Sequence, residues 1–513
     1  MYENQIQPIR DRISLSHAGD EQQLNVIFSE SPRVIVEAPA GYGKTTTMVS
    51  RLAYLYASGG IPNPKKILGL TFSVNAALKI KREVAEKLPV VLGEMDNPMV
   101  INERVTATNF HGFCKGILRK YGYLLSPLLK RDVTLMRAVG KADIEKHTGI
   151  QSMLSDENRC FLFSIEDKIA LAELPTREEI AKYNQIVINE LVPHDYITHD
   201  AVILLVIQLF EDNPGVKQFY SDYYPLIVVD EFQDTNCMAW SLLNAVISEK
   251  TQLLFLGDPL QRIYGFIGAV PNIMQRAAIQ FNMEKIVLSK NYRFKNNPEM
   301  LKLDASIRRN AEMNFHVNAA EQAKLFAFWG KTQEEEAEAV VRKIEQITKC
   351  DSKGRIAILF RGRNDNEAVY EYILNRHSMD FFYGMFNDDD QNYVNFHMFC
   401  RDAFVSRFGS SKSINKKALS SFVEKIKKDY SSNDVRVNSS LLVLLDALIQ
   451  KVAVDYSDIP TEDKYELLLD IFENRQLKQA MEYVDSNIIL STIHGAKGLE
   501  WDYVFIADLE RWI

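Results

Sequence analysis

Cysteine is scarce in this chain. Its five residues, Cys114, Cys160, Cys237, Cys350 and Cys400, are widely scattered, with no C-x-x-C among them. That excludes a disulfide framework and indicates no iron–sulfur or zinc cluster, so the thiols read as small core hydrophobes. A long apolar run is missing too. No stretch reaches the ~18 uncharged apolar residues of a membrane span, and the N-terminal "MYENQIQPIRDRISLSHAGDEQQLN" has no signal-like hydrophobic segment. The expectation is a cytoplasmic protein with no membrane partner. Positive charge is also in deficit: 60 Lys and Arg against 68 Asp and Glu leave a formal charge of −8. Such a balance argues against coating nucleic acid with the whole surface and leaves room for a local basic groove. His194 and His199 lack a helical metal-ligand spacing with a third ligand nearby, and read as helix-start or surface residues. "NDDDQN" at 387–392 reads as a loop, with a metal-binding turn as the alternative.

What the chain does have is size and pattern. Its 513 residues, 46% of them hydrophobic, suffice for about three or four domains with ordinary cores. The charged runs at 333–347 and 416–429 read as solvated helix faces. "LIVVDEFQDTN", at 226–236, is more telling, because an apolar, β-branched strand runs directly into Asp230 and Glu231. Strands of that kind belong to parallel sheets, whose ligands lie beyond the carboxyl ends. Adjacent carboxylates are costly unless a cation or proton shares the site. A divalent metal bound to phosphate would serve, whereas a solvated turn would need no ligand at all.

A phosphate cradle elsewhere favours the first reading. "EAPAGYGKTTT", at 37–47, follows the strand-like "RVIVEA" and precedes a helical stretch, which is the context a phosphate loop requires. Gly41 and Gly43 let backbone amides turn toward phosphate oxygens, Lys44 supplies a point charge, and Thr45 offers a hydroxyl to Mg²⁺. Ala40 and Thr46 complete the cradle. Ala38 stands where the pattern G-x-x-x-x-G-K-[ST] has its first glycine, and a small residue still fits there. Asp230 would then hold Mg²⁺ through water, and Glu231 would orient and deprotonate the attacking water.

Further blocks follow in order along nearly the whole chain, and together they resemble the UvrD/Rep-like superfamily 1A DNA helicases. Gln23 stands where that family carries its adenine-recognising glutamine. "ILGLTFSVNAALKIK", at 67–81, is similar to the family's T-F-T-N-K-A-A block, with Thr71 and Phe72 as DNA contacts and Asn75 in place of the family's lysine. "TATNFHGFCKGIL", at 106–118, resembles T-F-H-S-[LF], which makes Phe110 and His111 candidate DNA contacts; Phe113 reads equally well as core. In "LLFLGDPLQRIYGFIGA", at 253–269, Gln261 would sense the γ-phosphate, while Tyr264 and Phe266 would stack on unpaired bases. "LSKNYRF", at 288–294, implies Tyr292 on adenine and Arg293 on the γ-phosphate, reaching it from the second motor domain. "STIHGAKGLEWDYVF", at 491–505, implies Thr492 and His494 on the DNA backbone, with Gly498 and Glu500 on the nucleotide side.

The resemblance implies an α/β fold with two RecA-like P-loop motor domains, each built on a parallel sheet, each carrying a mainly helical insertion, with ATP in the cleft between them. Expected bounds are 1–100 and 196–284 for the first motor domain and 101–195 for its insertion. The second motor domain takes 285–378 and 486–513, with a reduced insertion at 379–485. The implied activity is a DNA-dependent ATPase moving 3′ to 5′ on single-stranded DNA or a single-strand/duplex junction, with ATP and Mg²⁺ as cofactors. A partner nuclease or repair protein is the implied company, and a DNA-sensing subunit of an antiphage complex of the Gabija kind, gating such a nuclease, is the alternative. The family's next block, Y-V-A-x-T-R-A, would supply a further arginine; the sequence stops at "DLERWI", and Arg511 precedes that context. A shortened sequence, an arginine from a partner and a weakened ATPase each explain this, the first most simply.

Overall fold

Six short runs rich in β-branched and apolar residues form one parallel sheet: β1 (Arg33–Glu37), β2 (Ile67–Thr71), β3 (Val105–Asn109), β6 (Leu226–Val229), β7 (Gln252–Gly257) and β8 (Glu284–Val287). Their spatial order is β3-β2-β6-β7-β1-β8, every neighbouring pair being parallel. The structure is a computed structural model describing residues 3–72, 74–93, 103–262, 268–312, 323–362, 366–386, 390–409, 413–430, 435–457 and 460–509. It divides into two compact units, Met1–Lys324 and Leu325–Ile513.

In the first unit, strand alternation feeds two separate cores. Ile35, Leu68, Leu70, Ile227, Val229 and Phe255 point into one; Val34, Val36, Ile67, Val228, Leu254 and Leu256 point into the other. Burying each such side chain contributes about 1.5–3 kcal/mol, so the sheet is held on both faces and its carboxyl edge is left for function. Two bounds differ from those expected. Strand β3 lies within 101–195 yet pairs with β2, and β8 crosses the 284/285 boundary to pair with β1. A two-stranded parallel pair, β4 (Arg137–Val139) with β5 (Tyr196–Thr198), ties together the largely helical region between β3 and β6.

The second unit carries a four-stranded parallel sheet, β10-β11-β9-β12, made of β9 (Ile356–Phe360), β10 (Phe382–Gly384), β11 (Ile488–Thr492) and β12 (Tyr503–Ile506). Strand β10 falls inside the stretch expected to be an insertion; the rest of that stretch is helical. Its helices Gln391–Phe408, Lys416–Asp429 and Thr461–Glu473 meet through Phe404, Phe422 and Phe472. Residues Val437–Asp455 are long and apolar enough to cross a membrane by length and composition. Burial of Leu441, Leu444, Leu445, Leu448 and Val452 within the unit accounts for that apolar character. Cys114, Cys237 and Cys400 are buried as expected, whereas Cys160 and Cys350 are exposed. His199 does begin a helix, His199–Asp212. In "NDDDQN", residues 387–389 lie outside the described residues; Asp390 caps the helix Gln391–Phe408 by accepting from the Asn392 amide at 2.9 Å.

Candidate functional site

Because all six strands run the same way, their carboxyl ends share one edge, and the polar residues that follow them converge there. The loop after β1 turns through Gly41 (φ 84°) and Gly43 (φ 79°), a left-handed conformation that favours glycine. Space demands it as well: a Cβ on Gly41 would lie 2.5 Å from the Arg293 Cβ. Lys44 then opens the helix Lys44–Ala57. Its Nζ lies 2.6 Å from Glu231 Oε1 and 3.5 Å from Asp230 Oδ1. The loop and the acidic strand end, far apart in sequence, therefore face one another.

Electrostatics follow from this enclosure. Burial alone would lower the Lys44 pKa, but Asp230 and Glu231 outweigh it and hold the ammonium above its ordinary value. Burial, with the charge of Glu231, raises Asp230 despite the opposing pull of Lys44. Asp230 is thus a carboxylate short of positive charge. Glu231 adopts a left-handed backbone (φ 51°, ψ 40°), a conformation costing a non-glycine residue about 1–2 kcal/mol. Its Oε2 accepts from Gln233 Nε2 at 2.7 Å, and its own amide donates to Asp230 Oδ1 at 2.9 Å. Nothing in the sequence announced that strained backbone.

Gln23 sits beside the loop, buried, with its carboxamide engaged at both ends: Oε1 with His17 Nδ1, and Nε2 donating to the Tyr42 carbonyl at 3.2 Å. Tyr292 and Arg293, expected on the second motor domain, lie instead in the first compact unit. Strand β8 pairs with β1, and the chain after it returns across the loop, where the amides of Tyr292 and Arg293 donate to the Gly41 carbonyl at 2.8 and 3.3 Å. The Tyr292 hydroxyl donates to Asp20, which caps the helix Glu21–Phe28. Burial would raise Asp20, but Tyr292 and the two capping amides hold it below the ordinary carboxylate value. Burial and Asp20 in turn push Tyr292 up to about 12. Ala40, Thr45 and Thr46 are partly exposed along the loop, and Gln261 follows β7, donating to Asp258 Oδ2 at 3.1 Å.

The expected DNA contacts divide. Thr71 and Phe110 are buried, at 0% and 3% exposure, because Thr71 ends the enclosed β2 and Phe110 turns into the core below the sheet edge. Neither side chain is open to solvent in this structure. Phe113 is core too, against Tyr220 and Tyr224. Phe72 is partly exposed and packs on Phe110, ring centroids 5.5 Å apart. His111 is partly exposed as a residue, yet its Nε2 is buried with no hydrogen-bond partner among the described residues. Burial, then His199 and Lys115, lower its pKa to about 3, so it is neutral at physiological pH and supplies no cation to a phosphate. Tyr264, Phe266 and Arg511 lie outside the described residues.

In the second unit, β11 ends at Thr492, whose Oγ1 accepts from the Gly495 amide at 2.9 Å. His494 and Glu500 are exposed, and Gly498 turns with φ 82°. Residues that the sequence reading passed over also appear at the first unit's edge: Asp258, Tyr42, Asp304 and Arg308. A signal existed only for Asp258, which ends an apolar strand as Asp230 does.

Strand, glycine loop, helix and acidic strand end define a P-loop α/β protein, and the two parallel sheets are RecA-like. Comparison narrows this class. A family model for the UvrD/REP helicase N-terminal domain matches residues 19–282, and one for the UvrD-like helicase C-terminal domain matches residues 397–512. The chain belongs to the UvrD/REP helicase family. Among similar proteins are the ATP-dependent DNA helicase PcrA of Staphylococcus aureus, 27% identical over 378 residues, and that of Bacillus subtilis, 27% identical over 387 residues. PcrA of Leuconostoc citreum is 26% identical over 388 residues. In each comparison 70% of this chain is covered and 49% of the relative, so the chain spans about half the length of the curated relatives it matches.

Proposed function

We propose that this chain acts as a superfamily 1A DNA motor, an ATPase that couples hydrolysis to movement along single-stranded DNA in the 3′ to 5′ direction. The observation that carries the reading is Lys44, held between Asp230 and Glu231 at the head of a glycine loop. The similarity to PcrA, an ATP-dependent DNA helicase, points the same way.

The chain's own groups have definable tasks. Amides of the loop from Gly41 to Thr45 would bind phosphate oxygens. Lys44, drawn toward those oxygens, would leave Glu231 Oε1 and free a carboxylate to take a proton from the attacking water. Gln233, on the other oxygen of Glu231, would keep that carboxylate aimed. Gln261 and Arg293 would respond to the γ-phosphate, and Tyr292 and Gln23 would hold adenine. Gly498 and Glu500 are proposed for the nucleotide side of the second unit.

Mg²⁺ fits the residues present. Asp230 is buried between the Lys44 ammonium and the Glu231 amide, and Thr45 offers a hydroxyl one position beyond Lys44. An ion held this way would be carried largely by phosphates and water. When bound, the ion neutralises charge on the transferred phosphoryl group.

Phe72, Tyr264, Phe266, Thr492 and His494 are the proposed DNA contacts. The test is ATP hydrolysis with and without single-stranded DNA, beside Glu231→Gln, followed by strand displacement on duplexes tailed at either end. DNA-stimulated turnover lost in Glu231→Gln, with displacement from a 3′ tail, supports the proposal. Nucleotide binding without DNA stimulation refutes it, and stimulation without displacement favours a DNA-sensing role beside a nuclease.

A further inference from the structure

Behind the phosphate loop lies a hydrogen-bonded chain that the tasks above do not use. Tyr42, in the loop itself, has a buried ring, and its hydroxyl donates to Asp304 Oδ2 at 2.5 Å. Burial, then Asp304, push that hydroxyl's pKa up to about 12, so it stays a donor. Asp304 lies on the helix Pro298–Glu312, one turn before Arg308. Arg308 Nε donates to Asp304 Oδ1 at 3.1 Å, while Nη1 and Nη2 donate to Asp258 Oδ1 and Oδ2 at 3.2 and 3.0 Å. Asn291 Nδ2 adds a bond to Asp304 Oδ2 at 3.2 Å.

Asp258 is where this chain meets the chemistry. It is 1% exposed, its Oδ2 accepts from Gln261, and its amide donates to Gln233 Oε1 at 3.0 Å. Gln233 in turn holds Glu231. A buried carboxylate needs a partner of opposite charge with matching geometry, and the planar fork of Arg308 grips both oxygens of Asp258 while its remaining nitrogen reaches Asp304. Lysine, a compact point charge, would keep the attraction but lose the planar two-nitrogen grip on Asp258.

We infer that Arg308 is a positioning residue which, with Tyr42 and Asp304, couples occupancy of the phosphate loop to the setting of Asp258, and through it to Gln261 and Glu231. This rests on the loop binding ATP. Phosphates that shift the loop move the Tyr42 hydroxyl; Asp304 and Arg308 carry that shift to the end of β7. The rigid link is the bidentate pair, and the adjustable one is the single bond of Tyr42.

The test uses the full 513-residue chain and a non-hydrolysable ATP analogue, reading amide hydrogen exchange over residues 253–262 together with analogue affinity and melting temperature. In the wild type, bound analogue should slow exchange at 258–262. Tyr42→Phe and Arg308→Gln should still bind it, within about threefold, while losing that protection, and kcat should fall about tenfold with little change in KM. The double variant should be no worse than the poorer single one, within about twofold, because both act through one chain. Arg308→Lys should recover melting temperature without recovering protection. Tyr42→Phe, which loses one hydroxyl, decides the matter if Arg308→Gln does not fold. Wild-type protection in folded, analogue-binding Tyr42→Phe overturns the inference, as does additivity or the absence of protection in an analogue-bound wild type. No binding by the wild type fails the ATP reading itself, and the inference with it.

Discussion

Lys44→Ala should weaken both nucleotide binding and the first unit, and the second effect is the more searching. Its Nζ is the cation facing Asp230 and Glu231, with side-chain exposures of 12%, 12% and 32% for the three. Deleting one partner of a fully buried pair costs about 3–5 kcal/mol. Glu231 is a third exposed and partly screened, so about 2–3 kcal/mol is the reasonable expectation. In urea this lowers the midpoint of the first unit's transition by about 1 M, for a slope of about 2–3 kcal/mol/M. Losing a charge-assisted phosphate contact of about 1.5–3 kcal/mol should weaken ATP binding by about 10- to 100-fold. Acid gives the signature. Asp230 is already raised by burial, and without Lys44 it rises further; a raised carboxylate stabilises the fold when protonated and that contribution is lost as pH rises. The deficit of Lys44→Ala should therefore shrink as pH falls toward the carboxylate range, and Lys44→Ala/Glu231→Gln should regain part of it at neutral pH. A Lys44→Ala protein with unchanged midpoint, or with a deficit independent of pH, would refute the paired-charge reasoning.

Glu231→Gln should keep nucleotide binding and lose about 10²–10⁴ in hydrolysis rate, measured by phosphate release. In the helical region, Glu166 is pushed up to about 8 by burial, then by Asp200, and Asp200 up to about 6 by burial. Both bind protons more tightly folded than unfolded, so stability from this pair declines as pH rises from the ordinary carboxylate range through 8. Glu166→Gln keeps an acceptor for the Lys141 amide, 3.0 Å away, and thermal melts from pH 5 to 9 should show that decline flattened. Phe110→Ala should cost about 3–5 kcal/mol in urea unfolding, with DNA affinity of the folded fraction unchanged; selective loss of DNA binding would restore Phe110 to the DNA surface.

Local backbone chemistry explains what the sequence disclosed. Glycines at 41 and 43 permit a left-handed turn wherever the loop sits, and an apolar β-branched run ending in acids places those acids at a sheet edge whatever the neighbours. Burial direction is another matter. "NFHGF" reads alike whether Phe110 faces solvent or core, and only the packing of Phe72 and the helix beneath it decides. Sheet membership was hidden for a related reason: β3 and β8 are recognisable as strands, yet their sheet is chosen by partners elsewhere in the chain, β2 and β1. The Tyr42–Asp304 and Arg308–Asp258 links, 262 and 50 residues apart, leave no periodic trace at all.

That division bears on how the site works. The parts legible in sequence are those any phosphate loop needs, a turn, a cation and a carboxylate, and each is set by its own few residues. What had to be seen in three dimensions is what holds them in register. Glu231 keeps an unfavourable backbone because Lys44 and Gln233 bind its carboxylate from two sides, and the end of β7 is fixed because Arg308 grips Asp258 with two nitrogens. A nucleotide that claims Lys44 would remove one restraint on Glu231. The strain of about 1–2 kcal/mol in that residue is then opposed by the bonds that remain, among them Gln233 on its carboxylate and Asp230 on its amide, and Gln233 is held in turn by the amide of Asp258. A fixed Asp258 end thus helps keep Glu231 aimed after Lys44 departs.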